Sequence, residues 1–317
     1  MGMASVWRDN TMIESKSYSA KGWRGPPEGI MAEILSMGKN FNEEIIEKTT
    51  RLYIPLHKKT THDEINIRKD LEYGPDDRHR LDIHEPLSRP DDPMPMVVFF
   101  HGGGFVSGHK NVVGDLIYGN VANYFARNGM VGINATYRLA PRHKWPEGAE
   151  DVAGVVKWLK ENGADYGGDL NKIYLFGHSA GAAHVASYLC HRALQPPSGS
   201  GVAGAILMSG QYNPDPINPG PFDKAYYGSD TEKYAERAAI NHIDGLEAPV
   251  FIIFAEYDTH QIEMQSVQLF EALCIRDSDC PRLTRIKNHN HISESLHIDT
   301  EDESIGPEII DFVRTRR

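Results

Sequence analysis

The apolar positions of this chain fall into two regimes. From about residue 96 onward, short runs with little alternation recur: Met96–Phe100, Val131–Tyr137, Ile173–Phe176, Val202–Met208 and Val250–Phe254. Between them lie stretches whose apolar residues repeat at helical spacing, from Leu116 to Ala126, Ala149 to Lys160, Ala180 to Ala193 and Ile262 to Leu273. A last strand over Leu283–Ile286 and a closing helix complete the series. Runs that are apolar at successive positions suit strands buried on both faces, as parallel strands covered by helices are. Upstream, Ile65 to Tyr73 and Arg80 to His84 flank Gly74-Pro75-Asp76-Asp77 and predict a hairpin. The pattern predicts an α/β fold, a mostly parallel central sheet with helices on both faces, without internal repeats.

Residues 1–60 follow a different rule. After the break at Gly25-Pro26-Pro27, Ile30, Met31, Ile34 and Leu35 stand at helical spacing. A second helix is expected where Asn40 and Glu43 have capping-box separation, with Phe41, Ile45, Ile46, Leu52 and Tyr53 as its apolar stripe. Two such helices are too short to form a domain of their own. The expected division is an appended helical segment over 1–60 and one α/β domain over 61–317.

Composition narrows the function classes. With 40% hydrophobic and 24% charged residues among 317, the chain can build a large core, which excludes a disordered or fibrous protein. Its 33 basic and 44 acidic residues give a net charge of −11, so a phosphate-gathering surface and a nucleic-acid partner are not expected. Cys190, Cys274 and Cys280 are too few and scattered for a disulfide framework or a four-cysteine metal site, which fits a reducing compartment. The first thirty residues hold no signal-length apolar run, Val6 breaks the myristoylation pattern that Gly2 would begin, and no run approaches the ~18 apolar residues of a membrane span. The expectation is a cytoplasmic protein.

The chemistry begins at Gly177-His178-Ser179-Ala180-Gly181, which follows one apolar run and opens a helical stretch. That is the context of a G-x-S-x-G nucleophile elbow, where glycines two residues either side let the turn close and lift the serine above the sheet. Some 75 residues upstream, His101-Gly102-Gly103-Gly104-Phe105 follows Met96–Phe100. Glycines there allow backbone N–H groups to approach a developing oxyanion, the expected donors being Gly103, Gly104 and Ala180, with His101 pinning the loop. A nucleophilic serine needs a base oriented by a carboxylate, in chain order serine, acid, histidine. Glu256 and Asp258 at the end of Val250–Phe254 compete for the acid, with Asp258 preferred; His289 and His291 compete for the base. A metal held by His289, His291 and nearby carboxylates is weighed and set aside, because no His-Glu-x-x-His helix accompanies it.

Together HGGGF at 101–105, YRLAP at 137–141, Glu150-Asp151, GHSAG at 177–181, EYD at 256–258 and HNHIS at 289–293 resemble the α/β-hydrolase carboxylesterases of the hormone-sensitive-lipase-like group. The resemblance is strongest to the branch with bacterial esterases and kynurenine formamidase-like enzymes. It covers about residues 65 to 317, although His178 stands where hormone-sensitive-lipase relatives usually carry Asp. It implies an α/β-hydrolase fold and a triad of Ser179, Asp258 and His291, since relatives place an apolar residue, here Ile292, after the histidine. It also implies hydrolysis of small to medium carboxylic esters through an acyl-enzyme, without metal or organic cofactor. The alternatives are an arylformamidase-like amide hydrolase and a non-catalytic small-ligand receptor, the latter disfavoured by the intact Ser, Asp and His. The N-terminal segment is expected to cap the site, with Phe105, His178, Ile30, Ile34, Phe41 and Ile45 as pocket residues. A small-molecule ester is the expected partner, and homodimer assembly stays open.

Overall fold

The computed structural model describes residues 25–59, 63–114 and 116–316. The readings made on residues 1–24, including the leader and myristoylation arguments, lie outside them. Eight strands form one sheet: β1 (Ile65–Glu72), β2 (Arg80–Pro86), β3 (Met94–Phe100), β4 (Val131–Ala135), β5 (Gly168–His178), β6 (Gly204–Met208), β7 (Val250–Tyr257) and β8 (Arg282–Asn290). Their spatial order is β1-β2-β4-β3-β5-β6-β7-β8. The hairpin β1/β2 and the pair β2/β4 are antiparallel, and every pairing from β4 to β8 is parallel. The chain thus forms the mostly parallel sheet expected of it.

The helices are α1 (Glu28–Met37), α2 (Glu43–His57), α3 (Gly119–Arg127), α4 (Glu147–Asn162), α5 (Ala180–Cys190), the short α6 (Pro221–Tyr227) and α7 (Tyr234–Arg237), α8 (His260–Asp277), the single turn α9 (Ser293–Leu296), and α10 (Gly306–Thr315). Successive strand residues point to opposite faces. Val98, Ile133, Leu175 and Ile252 therefore meet Val152 and Leu159 of α4, Val185 of α5 and Leu269 of α8. Val97, Phe99, Phe176 and Phe251 pack instead with Val121 and Phe125 of α3 and with Ile309 and Phe312 of α10. Burial on both faces explains why the strands read as continuous apolar runs. Among the described residues no helix is long and apolar enough to cross a membrane.

Two local expectations are corrected. Asn42, not Asn40, caps α2: it is extended, and its side chain accepts from Ile45 N–H at 3.0 Å, while Asn40 donates to the Met37 carbonyl. A cap is decided by the backbone conformation of one residue, which spacing alone does not reveal. Cys274 and Cys280, near the end of α8, form a disulfide with their Cα atoms 4.4 Å apart. That pair removes the argument for a reducing compartment, which rested on scattered cysteines; Cys190 is free and buried.

The resemblance motifs also build a structural network. Asp151, 2% exposed, accepts from Arg138 N–H at 2.7 Å and Nε at 2.8 Å, and lies 3.0 Å from His79 Nε2. Burial raises the pKa of this carboxyl, but the hydrogen bonds from His79 and Arg138 outweigh it and hold it below the usual value. Replacing Asp151 by Ala should cost about 1–3 kcal/mol, because it leaves the Arg138 N–H and His79 without their acceptor while the guanidinium keeps Glu147 at 2.6 Å and Glu150 at 3.2 Å. Since the folded pKa is depressed, this stabilisation is complete above the unfolded carboxylate value and is lost as pH falls through the folded one. A melting profile from about pH 7 down to about 3 should therefore be steeper for wild type than for Asp151→Asn.

Candidate active site

Ser179 stands between β5 and α5 at φ 54°, ψ −119°, a conformation that costs a residue with a side chain about 1–3 kcal/mol. Two glycines make the turn feasible. A Cβ on Gly177 would lie 2.4 Å from Ala182 Cα, and one on Gly181 only 2.1 Å from the Phe100 carbonyl oxygen. Ser179 N–H donates to Met208 O at 2.8 Å, which ties the elbow to β6.

His291 follows β8, and Asp258 follows β7. His291 Nε2 lies 2.9 Å from Ser179 Oγ, and its Nδ1 lies 2.8 Å from Asp258 Oδ1. A carboxylate only accepts, so Nδ1 carries the proton and Nε2 offers its lone pair to the serine hydroxyl. Asp258 is fully buried, and its other oxygen accepts from Ser209 Oγ at 2.6 Å and from Ala255 N–H at 2.8 Å. His178 donates through Nε2 to the His291 carbonyl at 2.8 Å, which helps fix the loop. Burial, reinforced by His291, lowers the His178 pKa to about 3, so the ring is neutral.

The competitors point elsewhere. Glu256 accepts from Asn288 N–H at 2.8 Å and faces Arg285 at 3.5 Å. His289 contacts Ser293 Oγ at 3.0 Å and Asp302 at 3.3 Å. Strand geometry is the reason for the second difference: His289 belongs to β8, which runs on to Asn290, whereas His291 lies just past its end.

The glycine loop lies directly against the elbow. A Cβ on Gly102 would come within 3.1 Å of both His178 Nδ1 and Ser179 Cβ. Gly103 and Gly104 have φ 134° and 57°, and a Cβ on Gly103 would be 2.1 Å from the Ser107 carbonyl oxygen. Ala180, as the first residue of α5, has no intrahelical acceptor for its N–H. His101 is buried under the loop, its ring stacked on Tyr137 at 4.4 Å and its carbonyl accepting the Tyr137 hydroxyl at 2.6 Å. Burial lowers its pKa to about 3, which suits a pinning role.

Two cavities meet at Ser179 and His291. One of ≈ 210 Å³ is bounded by Phe105, Ala180, Gln211 and Gln265. The other, ≈ 290 Å³, is bounded by Ile46, Thr50, Tyr118, His178, Ile292 and Leu296. Phe41 and Phe222 belong to both walls, and the Phe41 ring stands edge-on to His291 at 4.7 Å. The expectation that Ile30, Ile34 and Ile45 line the pocket is corrected. Ile34 is fully buried, and Ile30 packs against the cluster of Tyr53, Ile292 and Leu296. Ile46 takes the wall position assigned to Ile45, because a one-residue step turns the side chain about 100° around α2.

Sequence reasoning also missed Ser209, Phe222 and Glu294. Ser209 could have been noticed, since it ends an apolar strand run where functional loops cluster. Glu294 is fully buried, 3.3 Å from His178 Nε2 and 3.9 Å from His291 Nδ1. Burial, with the Asp258 charge nearby, pushes its pKa well above the carboxylate range.

Among the described residues, two groups bring ligand-type atoms within 4.8 Å of one another: His178, His291 and Glu294; and His289, His297 and Asp302. In the first, His178 Nε2 and both His291 nitrogens are already engaged. His289 and His291 fall in different groups, so the metal set first weighed from these two does not form.

Residues 97–268, just over half of the chain, match the family described as alpha/beta hydrolase fold. The chain belongs to this family. Esterase LipC of Mycobacterium tuberculosis (strain ATCC 25618 / H37Rv) is 33% identical over 114 residues, 36% of this chain and 27% of that protein. A probable isoprenylcysteine alpha-carbonyl methylesterase of Oryza sativa subsp. japonica is 30% identical over 154 residues, 46% of this chain and 36% of that protein. The chain thus spans well under two thirds of the length of these curated relatives. Among solved structures, a hyperthermophilic esterase from the archaeon Pyrobaculum calidifontis superposes with a TM-score of 0.67 at 20% identity, covering 92% of this chain and 99% of that one. This alpha/beta hydrolase therefore shares its fold with an esterase almost from end to end.

Proposed function

We propose that this chain is a serine carboxylesterase acting on small to medium esters through an acyl-enzyme. The observation that carries the reading is the continuous relay from Asp258 through His291 to Ser179 at 2.8 and 2.9 Å, on a strained elbow beside a glycine loop. The names of the two curated relatives, an esterase and a methylesterase, point the same way. In this scheme His291 takes the Ser179 proton as Oγ attacks the ester carbonyl, and the N–H groups of Gly103, Gly104 and Ala180 hold the oxyanion. His291 then protonates the leaving alcohol, and a water activated by the same nitrogen releases the acid. Asp258, held by Ser209 and Ala255, keeps the imidazole in the required tautomer. Burial and the Asp258 charge raise the Glu294 pKa well above the ordinary carboxylate value, which favours its uncharged form beside Asp258 and His291. The test is labelling by a fluorophosphonate together with turnover of p-nitrophenyl esters from acetate to palmitate. Labelling at Ser179 with hydrolysis of the shorter esters is expected; hydrolysis that survives full labelling refutes the reading.

We further infer that α1, α2 and the segment between them act as a cap over the carboxyl end of the sheet. Phe41, Ile46 and Thr50 supply cavity wall from α2 and the segment before it. Phe41→Ala and Ile46→Trp should each change the octanoate-to-acetate ratio of kcat/KM by about tenfold. Both residues are partly exposed, so melting temperature should move little. A uniform loss across chain lengths that tracks stability would leave these helices as scaffold only.

A further inference from the structure

Behind the segment that carries His291 lies a second cluster that the hydrolytic scheme does not use. His289 at the end of β8, His297 just after α9, and Asp302 in the following loop are all buried, at 0%, 0% and 3% exposure. Among the described residues, His297 Nε2 has no hydrogen-bond partner, while His289 Nε2 and Asp302 Oδ2 face each other at 3.3 Å. One ligand-type atom from each of the three residues lies within 4.8 Å of the others. A buried imidazole nitrogen left without a partner beside a His–Asp pair is a costly arrangement unless something binds between them.

The remaining polar atoms of the three residues are held from behind. His297 Nδ1 donates to the Ser293 carbonyl at 3.0 Å, which leaves Nε2 as a bare lone pair. His289 Nδ1 contacts Ser293 Oγ at 3.0 Å. Asp302 Oδ1 accepts from Ser304 N–H at 3.1 Å and from Ser304 Oγ at 2.6 Å. Outer hydrogen bonds of this kind, to a carbonyl or hydroxyl from the far ring nitrogen and to the spare carboxylate oxygen, orient metal ligands. Tetrahedral zinc at ~2.0–2.1 Å from its ligands separates them by about 3.3 Å. His289 Nε2 and Asp302 Oδ2 are already 3.3 Å apart, and the His297 ring lies beside that of His289 with centroids 4.3 Å apart. Tyr53 of α2 is fully buried, and that burial, joined by the Asp302 charge, raises its pKa well above the ordinary value.

We propose that His289, His297 and Asp302 form a structural site for a divalent transition metal, zinc best suiting two imidazoles and one carboxylate. The ion would join the end of β8, the end of α9 and the loop at 302, bracing a stretch whose only helix is the four-residue α9. The site is enclosed and separate from Ser179, so it serves the fold and not the hydrolytic step.

The full chain should be expressed in zinc-supplemented medium, purified and assayed for bound metal by elemental analysis. Wild type should keep about one metal per chain through gel filtration, and Asp302→Asn and His297→Phe less than about one tenth. Cobalt exchanged into wild type should give the visible absorption of a four-coordinate site, and His297→Phe should not. Should the variants fail to fold, wild type decides alone: prolonged chelation should lower its melting temperature by several degrees, and added zinc should restore it. The proposal is overturned if wild type retains no metal after zinc loading, or if His297→Phe retains as much as wild type. In the first case the cluster is a metal-free His289–Asp302 pair.

Discussion

Ser179→Ala should lower kcat on p-nitrophenyl acetate by about 10⁴-fold or more while the protein melts within a degree or two of wild type. The side chain removed is small, and the backbone strain at φ 54° is borne by Gly177, Gly181 and the bond to Met208, none of which the substitution touches. His291→Ala should cost a comparable factor, because it removes the atom 2.9 Å from Oγ. The two losses should not add when combined, since base and nucleophile act as one unit. His289→Ala is the informative control: its ring faces Asp302 and His297, so it should affect stability much more than kcat. If His289→Ala abolished turnover in a folded protein and His291→Ala did not, the assignment of the base would be reversed.

Gly181→Ala should be among the most destabilising single changes in the chain, by about 3 kcal/mol or more, with hydrolysis falling in parallel. The added methyl would sit 2.1 Å from the Phe100 carbonyl oxygen and 2.7 Å from that of His101. Both are backbone atoms that cannot swing aside as a long side chain would. Either α5 lifts off β3 or the elbow opens, and each displaces Ser179 from His291. Gly29→Ala in α1 is the matched comparison: a Cβ there meets nothing within 4 Å, and the helix should gain about 0.5–1 kcal/mol. Paired thermal melts decide the point. A Gly181→Ala protein as stable as Gly29→Ala would show that the elbow relaxes at little cost.

These contrasts follow the line between what was legible in the sequence and what was not. Strands β3 to β7 were readable because burial on both faces leaves a local trace, an unbroken apolar run bounded by helical periodicity. The elbow was readable for a related reason: its steric demand falls on Gly177 and Gly181, at a fixed distance from Ser179. Chain order and strand ends pointed to Ser179, Asp258 and one of His289 and His291, the resemblance chose His291, and their role is the proposal above. What stayed hidden depends on distant packing. Ser209 reaches Asp258 across 49 positions, and Phe222 arrives from a short helix with no motif. The choice of Ile46 over Ile45 as wall depends on how α2 is rotated against the sheet, and no periodicity fixes that angle. The Cys274–Cys280 bond escaped notice because spacing gives no view of the turn after α8 that brings the two together.

Asn290 sits between the two histidines and faces the N-terminal helices. Its amide nitrogen donates to Thr49 Oγ1 at 2.9 Å, while its carbonyl oxygen accepts the N–H groups of Ile292 and Ser293. One side chain therefore fastens α2 to the backbone just after His291. Recombining the first sixty residues with those of a relative, a common way to alter substrate range, would exchange the partner of Asn290 as well as the pocket wall. Chimeras that lack a hydroxyl at position 49 should lose turnover on every substrate alike, so a screen for altered selectivity ought to hold Thr49 constant.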